Sequence, residues 1–165
     1  MRHVTLTNNL TVEVKIGDEV YRVNPPFIIG REEALGEELD YLAIKTLDGR
    51  VLYRFSKIRC KWGCDINKGE YDCVSHNHVK VEAEGSGIRV SHIGRTKTYI
   101  EQPGGQVQEL TPNGIFIADR LVLYIPGLKP SMPVELSIVA KQIIPPPPPP
   151  PPGDLCQALC EVYDP

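Results

Sequence analysis

Leu10-Thr11-Val12-Glu13-Val14-Lys15-Ile16-Gly17-Asp18-Glu19-Val20-Tyr21-Arg22-Val23 decides the fold. Leu10, Val12, Val14 and Ile16 alternate with polar residues, the period of a half-buried strand, and Gly17-Asp18 follows as a turn into Val20–Val23. The pattern recurs at 41–45 and 51–55, the latter preceded by Leu47-Asp48-Gly49-Arg50. Further strands are predicted at 79–83, 88–91, 97–101, 106–110, 115–117, 121–125 and 134–139. Gly85-Ser86-Gly87, Pro103-Gly104-Gly105, Pro112-Asn113-Gly114 and Pro126-Gly127 read as turns between them. One short helical candidate, Glu32 to Leu39, is interrupted by Gly36. Many short strands at close spacing predict an all-β protein, an antiparallel β-sandwich over residues 1–142.

Composition bounds the function. The 165 residues suit one domain with a tail. With 18 basic and 21 acidic residues, bulk charge gives no case for nucleic acid or an anionic membrane surface. No apolar run approaches the roughly 18 residues of a membrane span, and the first residues, Met1-Arg2-His3-Val4-Thr5, lack the apolar core of a signal peptide. A cytoplasmic protein is expected. No Cys-His or Ser-His-Asp arrangement stands in a motif, and no helix follows Gly85-Ser86-Gly87 to cradle a phosphate, so a non-enzymatic protein is expected.

Two segments carry the chemistry. Pro26-Phe27-Ile28-Ile29-Gly30-Arg31 reads as strand and turn, and Ser75-His76-Asn77-His78 closes a loop before the alternating strand at 79–83. A hydroxyl at a strand mouth together with a guanidinium can make a small anion pocket, one donating a single hydrogen bond and the other a planar fork of them.

In order along the chain, Ile29-Gly30-Arg31, Cys64-Asp65-Ile66, Val74-Ser75-His76-Asn77-His78, Arg95-Thr96-Lys97-Thr98-Tyr99-Ile100 and Ile117-Ala118-Asp119-Arg120-Leu121-Val122-Leu123 resemble the motifs of the forkhead-associated (FHA) domain family. The resemblance covers roughly residues 9–140. It implies a sandwich of about eleven strands that binds a phosphothreonine-containing protein through loops at one end, in Ser/Thr kinase signalling. Arg31 and Ser75 would then hold the phosphate, with His76, Asn77, Arg95, Thr96 and Lys97 around it, while Gly30 and His78 shape the loops from inside. The chain departs from the pattern at His76, where the family has arginine, and at Thr96-Lys97, where it has Asn-Gly. The interval from Gly30-Arg31 to Ser75 is long and holds an extra strand pair at 41–55. A second alignment puts Arg59 in place of Arg31, and both remain open here, with Arg31 favoured. A phosphate-independent assembly module with the same fold is the alternative that these departures favour.

Cys60, Cys64, Cys73 and His76 offer four metal ligands in seventeen residues, a set compatible with zinc but not with a common finger spacing. A small zinc-stabilised module is therefore a further alternative; it would consume His76, so the metal and phosphate roles of that residue exclude each other. No cofactor is otherwise expected. Trp62 reads as a loop anchor or a peptide contact. Beyond the sandwich, the eight prolines 145–152 form a linker that cannot join a sheet and would extend about 25 Å as polyproline II, a ligand for an aromatic-groove domain. Residues 153–165 form a tail in which Asp154 can cap a short helix carrying Leu155, Leu159 and Val162 on one face.

Overall fold

The structure, a computed structural model, describes residues 10–37, 39–60, 74–129 and 132–142. Cys64, Cys73, Asp65-Ile66, Trp62, the proline run at 145–152 and the tail at 153–165 lie outside them. The described residues form twelve strands and no helix.

They are β1 (Leu10–Ile16), β2 (Glu19–Val23), β3 (Phe27–Glu32), β4 (Asp40–Lys45), β5 (Val51–Cys60), β6 (Val79–Glu84), β7 (Gly87–His92), β8 (Tyr99–Glu101), β9 (Val107–Glu109), β10 (Ile115–Ile117), β11 (Arg120–Lys129) and β12 (Met132–Gln142). Two six-stranded sheets result, in the orders β2-β1-β12-β11-β8-β9 and β10-β7-β6-β3-β4-β5. Every pairing is antiparallel. The predicted β-sandwich is present.

The alternation seen in the sequence becomes the core. Val12, Val14 and Ile16 are buried from the first sheet, as are Leu121, Leu123 and Ile125, which face Ile138, Leu136 and Val134 directly across the β11–β12 ladder. Phe27, Ile29, Leu42, Ile44, Phe55, Val79, Val81, Ile88 and Val90 come from the second sheet into the same apolar cluster. Each such side chain contributes about 1.5–3 kcal/mol on leaving water, and this burial holds the two sheets face to face.

Two expectations need correction. The helical candidate at Glu32 to Leu39 is not a helix: Glu32 ends β3, Gly36 has a φ of 78°, and the Glu37 amide bonds Ala34 O in a single turn. Leu35, the apolar residue such a helix would bury, is 96% exposed. Pro126-Gly127 is not a turn between strands but lies inside β11, where the pairing with β12 shifts between Ile125 and Lys129. Proline lacks the amide hydrogen a regular ladder needs, so it is accommodated at this irregularity. The strand pair at 41–55 is present and belongs to the second sheet. β4 hydrogen-bonds directly to β3, and only β5 is added outside it as an edge.

That edge is bulged. Phe55 opposes Leu42 and Arg59 opposes Tyr41, so residues 56–58 have no counterpart on β4. The Ser56 amide is held instead by the Glu19 carboxylate of β2, at 2.8 and 3.0 Å. Tyr21 of β2 donates its hydroxyl hydrogen to Glu19 Oε2 at 2.5 Å, with Arg54 O 3.0 Å away, and stacks on Tyr53, with ring centroids 4.6 Å apart. This seam joins the two sheets at the β2–β5 edge, opposite β9 and β10.

Candidate functional site

Three segments meet at one end of the second sheet: the end of β3, the 74–78 loop before β6, and the 93–98 loop between β7 and β8. Backbone bonds weld the first two, with Arg31 N–H donating to Ser75 O and His78 N–H to Ile29 O, both at 3.0 Å. Gly30 is required by this approach. A β-carbon there would overlap the His76 carbonyl and stand 2.9 Å from Ser75 O. The third segment is tied on by the Ile93 and Gly94 amides, each 3.0 Å from His78 O, and by the Arg95 amide, which donates to Ser75 Oγ at 3.0 Å. The Ser75 hydroxyl hydrogen has no acceptor among the described residues.

His78 is the internal brace. It is fully buried, and its Nδ1 accepts the Ser75 amide hydrogen at 3.2 Å. The proton therefore sits on Nε2, which donates to Thr98 Oγ1 at 2.9 Å; Thr98 in turn meets His92 Nδ1 at 3.1 Å. Burial, with His92 adding repulsion, pushes the His78 pKa down to about 3, so the ring is neutral. Burial also lowers His92, against opposing pulls from the Gly94 carbonyl and Glu109. Gly94 lacks a side chain because a β-carbon would run into the His78 ring.

The charged groups lie around this frame. The Arg31 side chain is only 11% exposed; Nε donates to Val74 O at 2.9 Å and Nη1 to Glu33 Oε1 at 2.8 Å, with Asp40 Oδ2 at 3.8 Å. Nη2 has no hydrogen-bond partner among the described residues. The same Glu33 oxygen lies 3.7 Å from His76 Nε2. The hydrogen bond from Arg31 holds the Glu33 carboxyl below its ordinary pKa, so it is a carboxylate at neutral pH. Beneath them Lys45 is buried and spans the two segments, its Nζ donating to Arg31 O at 2.6 Å and His76 O at 2.9 Å. Burial lowers the Lys45 pKa, partly offset by the nearby Glu32 carboxylate.

The sequence-predicted residues divide clearly. Arg31, Ser75 and His76 lie together, and His76 and Asn77 are exposed. Arg95 and Lys97 are exposed on the adjoining loop, Lys97 facing Glu109 at 3.6 Å, whereas Thr96 between them is buried. Arg59 lies two strands away from Arg31, stacked 3.8 Å over Tyr41 and donating to Glu37 and to Leu39 O. Of the two alignments, the arginine whose segment bonds Ser75 is Arg31. The zinc set of Cys60, Cys64, Cys73 and His76 falls largely outside the described residues; within them no cluster of three or more metal-ligating groups occurs. No helix among the described residues is long and apolar enough to cross a membrane.

Lys45, Glu33, Thr98 and His92 were not singled out by the sequence. A signal existed for Lys45, which continues the unbroken apolar run Leu42-Ala43-Ile44 on a strand buried on both faces. Glu33 gave none, because its partner is set by the turn after β3.

No protein-family model, curated protein or solved structure matches this chain.

Proposed function

We propose that this chain is a phosphothreonine-dependent binding module that recruits a phosphorylated partner protein. The observation that carries the reading is the meeting of Arg31, Ser75, His76 and the Arg95–Lys97 loop at one end of the sandwich, on a frame that Gly30, Lys45 and His78 hold rigid. Phosphothreonine carries close to two negative charges and three acceptor oxygens. Arg31 Nη2 and the Ser75 hydroxyl are the donors with capacity left, and the exposed Arg95 adds a cation at the rim.

A screen of the purified chain against a degenerate phosphothreonine peptide library, with its unphosphorylated counterpart, tests the proposal. Phosphate-dependent binding is expected, lost in Arg31→Ala and Ser75→Ala and retained in Arg59→Ala. Absence of phosphate-dependent binding refutes it.

One observation favours a second reading, a phosphate-independent assembly module. Arg31 is mostly buried and already bonded to Glu33 and Val74 O, as a purely structural arginine would be. In that case binding partners recognise the sandwich whether or not they are phosphorylated, and Arg31→Ala lowers stability rather than affinity.

A further inference from the structure

Glu33 already partners the arginine that the phosphothreonine reading assigns to the phosphate. It follows β3 directly, its side chain is 60% exposed, and one carboxylate oxygen lies 2.8 Å from Arg31 Nη1 and 3.7 Å from His76 Nε2 at the mouth of the site. Arg31 itself is 11% exposed, and Glu33 is the exposed one of its two carboxylate neighbours. Asp40 adds a second, more distant carboxylate at 3.8 Å, but at 13% exposure it belongs to the wall of the site and not to its mouth. Lys45 lies below and spends its hydrogen bonds on the Arg31 and His76 carbonyls, so it does not compete for Glu33.

We propose that Glu33 is the affinity-setting residue of this site, a tethered carboxylate that competes with a phosphorylated peptide for Arg31. The inference rests on the phosphothreonine reading. Its logic is that of a binding-competent state populated only in part: apparent affinity falls by the fraction of molecules in which the mouth is open. Because the competitor is attached two residues from the arginine, its effective concentration does not change with dilution. Although Arg31 is largely buried, Glu33 is 60% exposed, and solvent screening keeps such a pair to about 1 kcal/mol, so it opens readily and the penalty is modest. Repulsion between Glu33 and a dianionic phosphate adds to it.

The test uses the full chain, a phosphothreonine peptide selected from the library and inorganic phosphate as a minimal probe. Glu33→Gln is expected to tighten peptide binding about three- to tenfold, mostly through faster association, because the open state is populated more often and the approaching phosphate meets less repulsion. Glu33→Asp keeps the charge but shortens the reach, and is expected to fall between wild type and Glu33→Gln. Melting temperatures of both variants should remain close to wild type. Wild type and Glu33→Gln binding the peptide equally well, or a gain confined to dissociation, overturns the inference and leaves the phosphothreonine reading standing. Neither protein binding any phosphopeptide overturns the reading and the inference with it.

Discussion

Acidification should destabilise this protein chiefly through the His78 ring. His78 is neutral in the fold because burial, reinforced by His92, depresses its pKa to about 3. The Ser75 amide hydrogen donates to Nδ1, a bond that a protonated imidazole cannot accept. In the unfolded chain a histidine titrates near its ordinary value, about 6.5. Between those two values the unfolded state binds a proton that the folded state does not, so stability is complete above the unfolded pKa and declines as the pH falls toward the folded one. From about pH 7 to about pH 5 the loss from this ring is about 2 kcal/mol. Glu13, Glu33, Asp48 and Glu84 are all held below the ordinary carboxylate range, so they keep their charge across this window. Urea midpoints for wild type and His78→Gln at both ends of the window isolate the effect. At the neutral end the variant should be about 2–3 kcal/mol less stable, since the Ser75 amide and Thr98 lose a fitted partner. At the acid end the gap should narrow by about 2 kcal/mol, because only wild type carries the His78 proton linkage. Parallel pH profiles for the two proteins would refute a neutral, buried His78.

The same frame yields further tests. Gly30→Ala should cost more than about 2 kcal/mol, since neither the His76 nor the Ser75 carbonyl can yield cheaply; hydrogen exchange at the Arg31 and His78 amides should accelerate, and unchanged exchange counts against the close approach. Lys45→Met should lower stability by about 1–3 kcal/mol by stripping an ammonium donor from the Arg31 and His76 carbonyls, read by thermal melting; a stabilised variant would mean that burying the charge outweighs its bonds. Glu19→Gln should bring the Tyr21 pKa down from about 12 toward its ordinary value, because the hydrogen bond to that carboxylate is the largest cause of the rise. It should also loosen the Ser56 amide, and ultraviolet titration with hydrogen exchange checks both. Leu123→Ala, which empties a fully buried position opposite Leu136, should cost about 2–5 kcal/mol in chemical denaturation.

Strand positions were legible in the sequence because alternation is a local property. Val12 and Val14 against Glu13 and Lys15 announce a half-buried strand whichever strand lies beside it. Glycine turns were legible for the same reason, as Gly17 and Gly85 show with φ values of 61° and 57°. The misplaced features were those in which local signals were overruled by partners far along the chain. Pro126 marks a break in regular pairing, but only the continued ladder with β12 shows that the strand resumes beyond it. The 32–39 segment reads locally as a short helical candidate, yet Leu35 stands exposed at a turn whose Gly36 takes a φ of 78°.

The candidate site divides along the same line. Its residue types, Gly30-Arg31, Ser75 and His78, stand in the sequence as motifs, and the order of those motifs suggested that they belong together. Which arginine reaches Ser75 was undecidable there, because Arg31 and Arg59 are chemically alike and both lie at some distance from it along the chain. Tertiary structure decided it: β3 pairs with β6 and brings Arg31 against the 74–78 loop, while β5 lies outside β4 and carries Arg59 away. Tertiary structure alone also put the Lys45 ammonium beneath two carbonyls and the Glu33 carboxylate on Arg31. The physical reason is that side-chain alternation is written residue by residue, whereas a charge finds its partner only after strands distant in sequence have paired and excluded the water that would otherwise satisfy it.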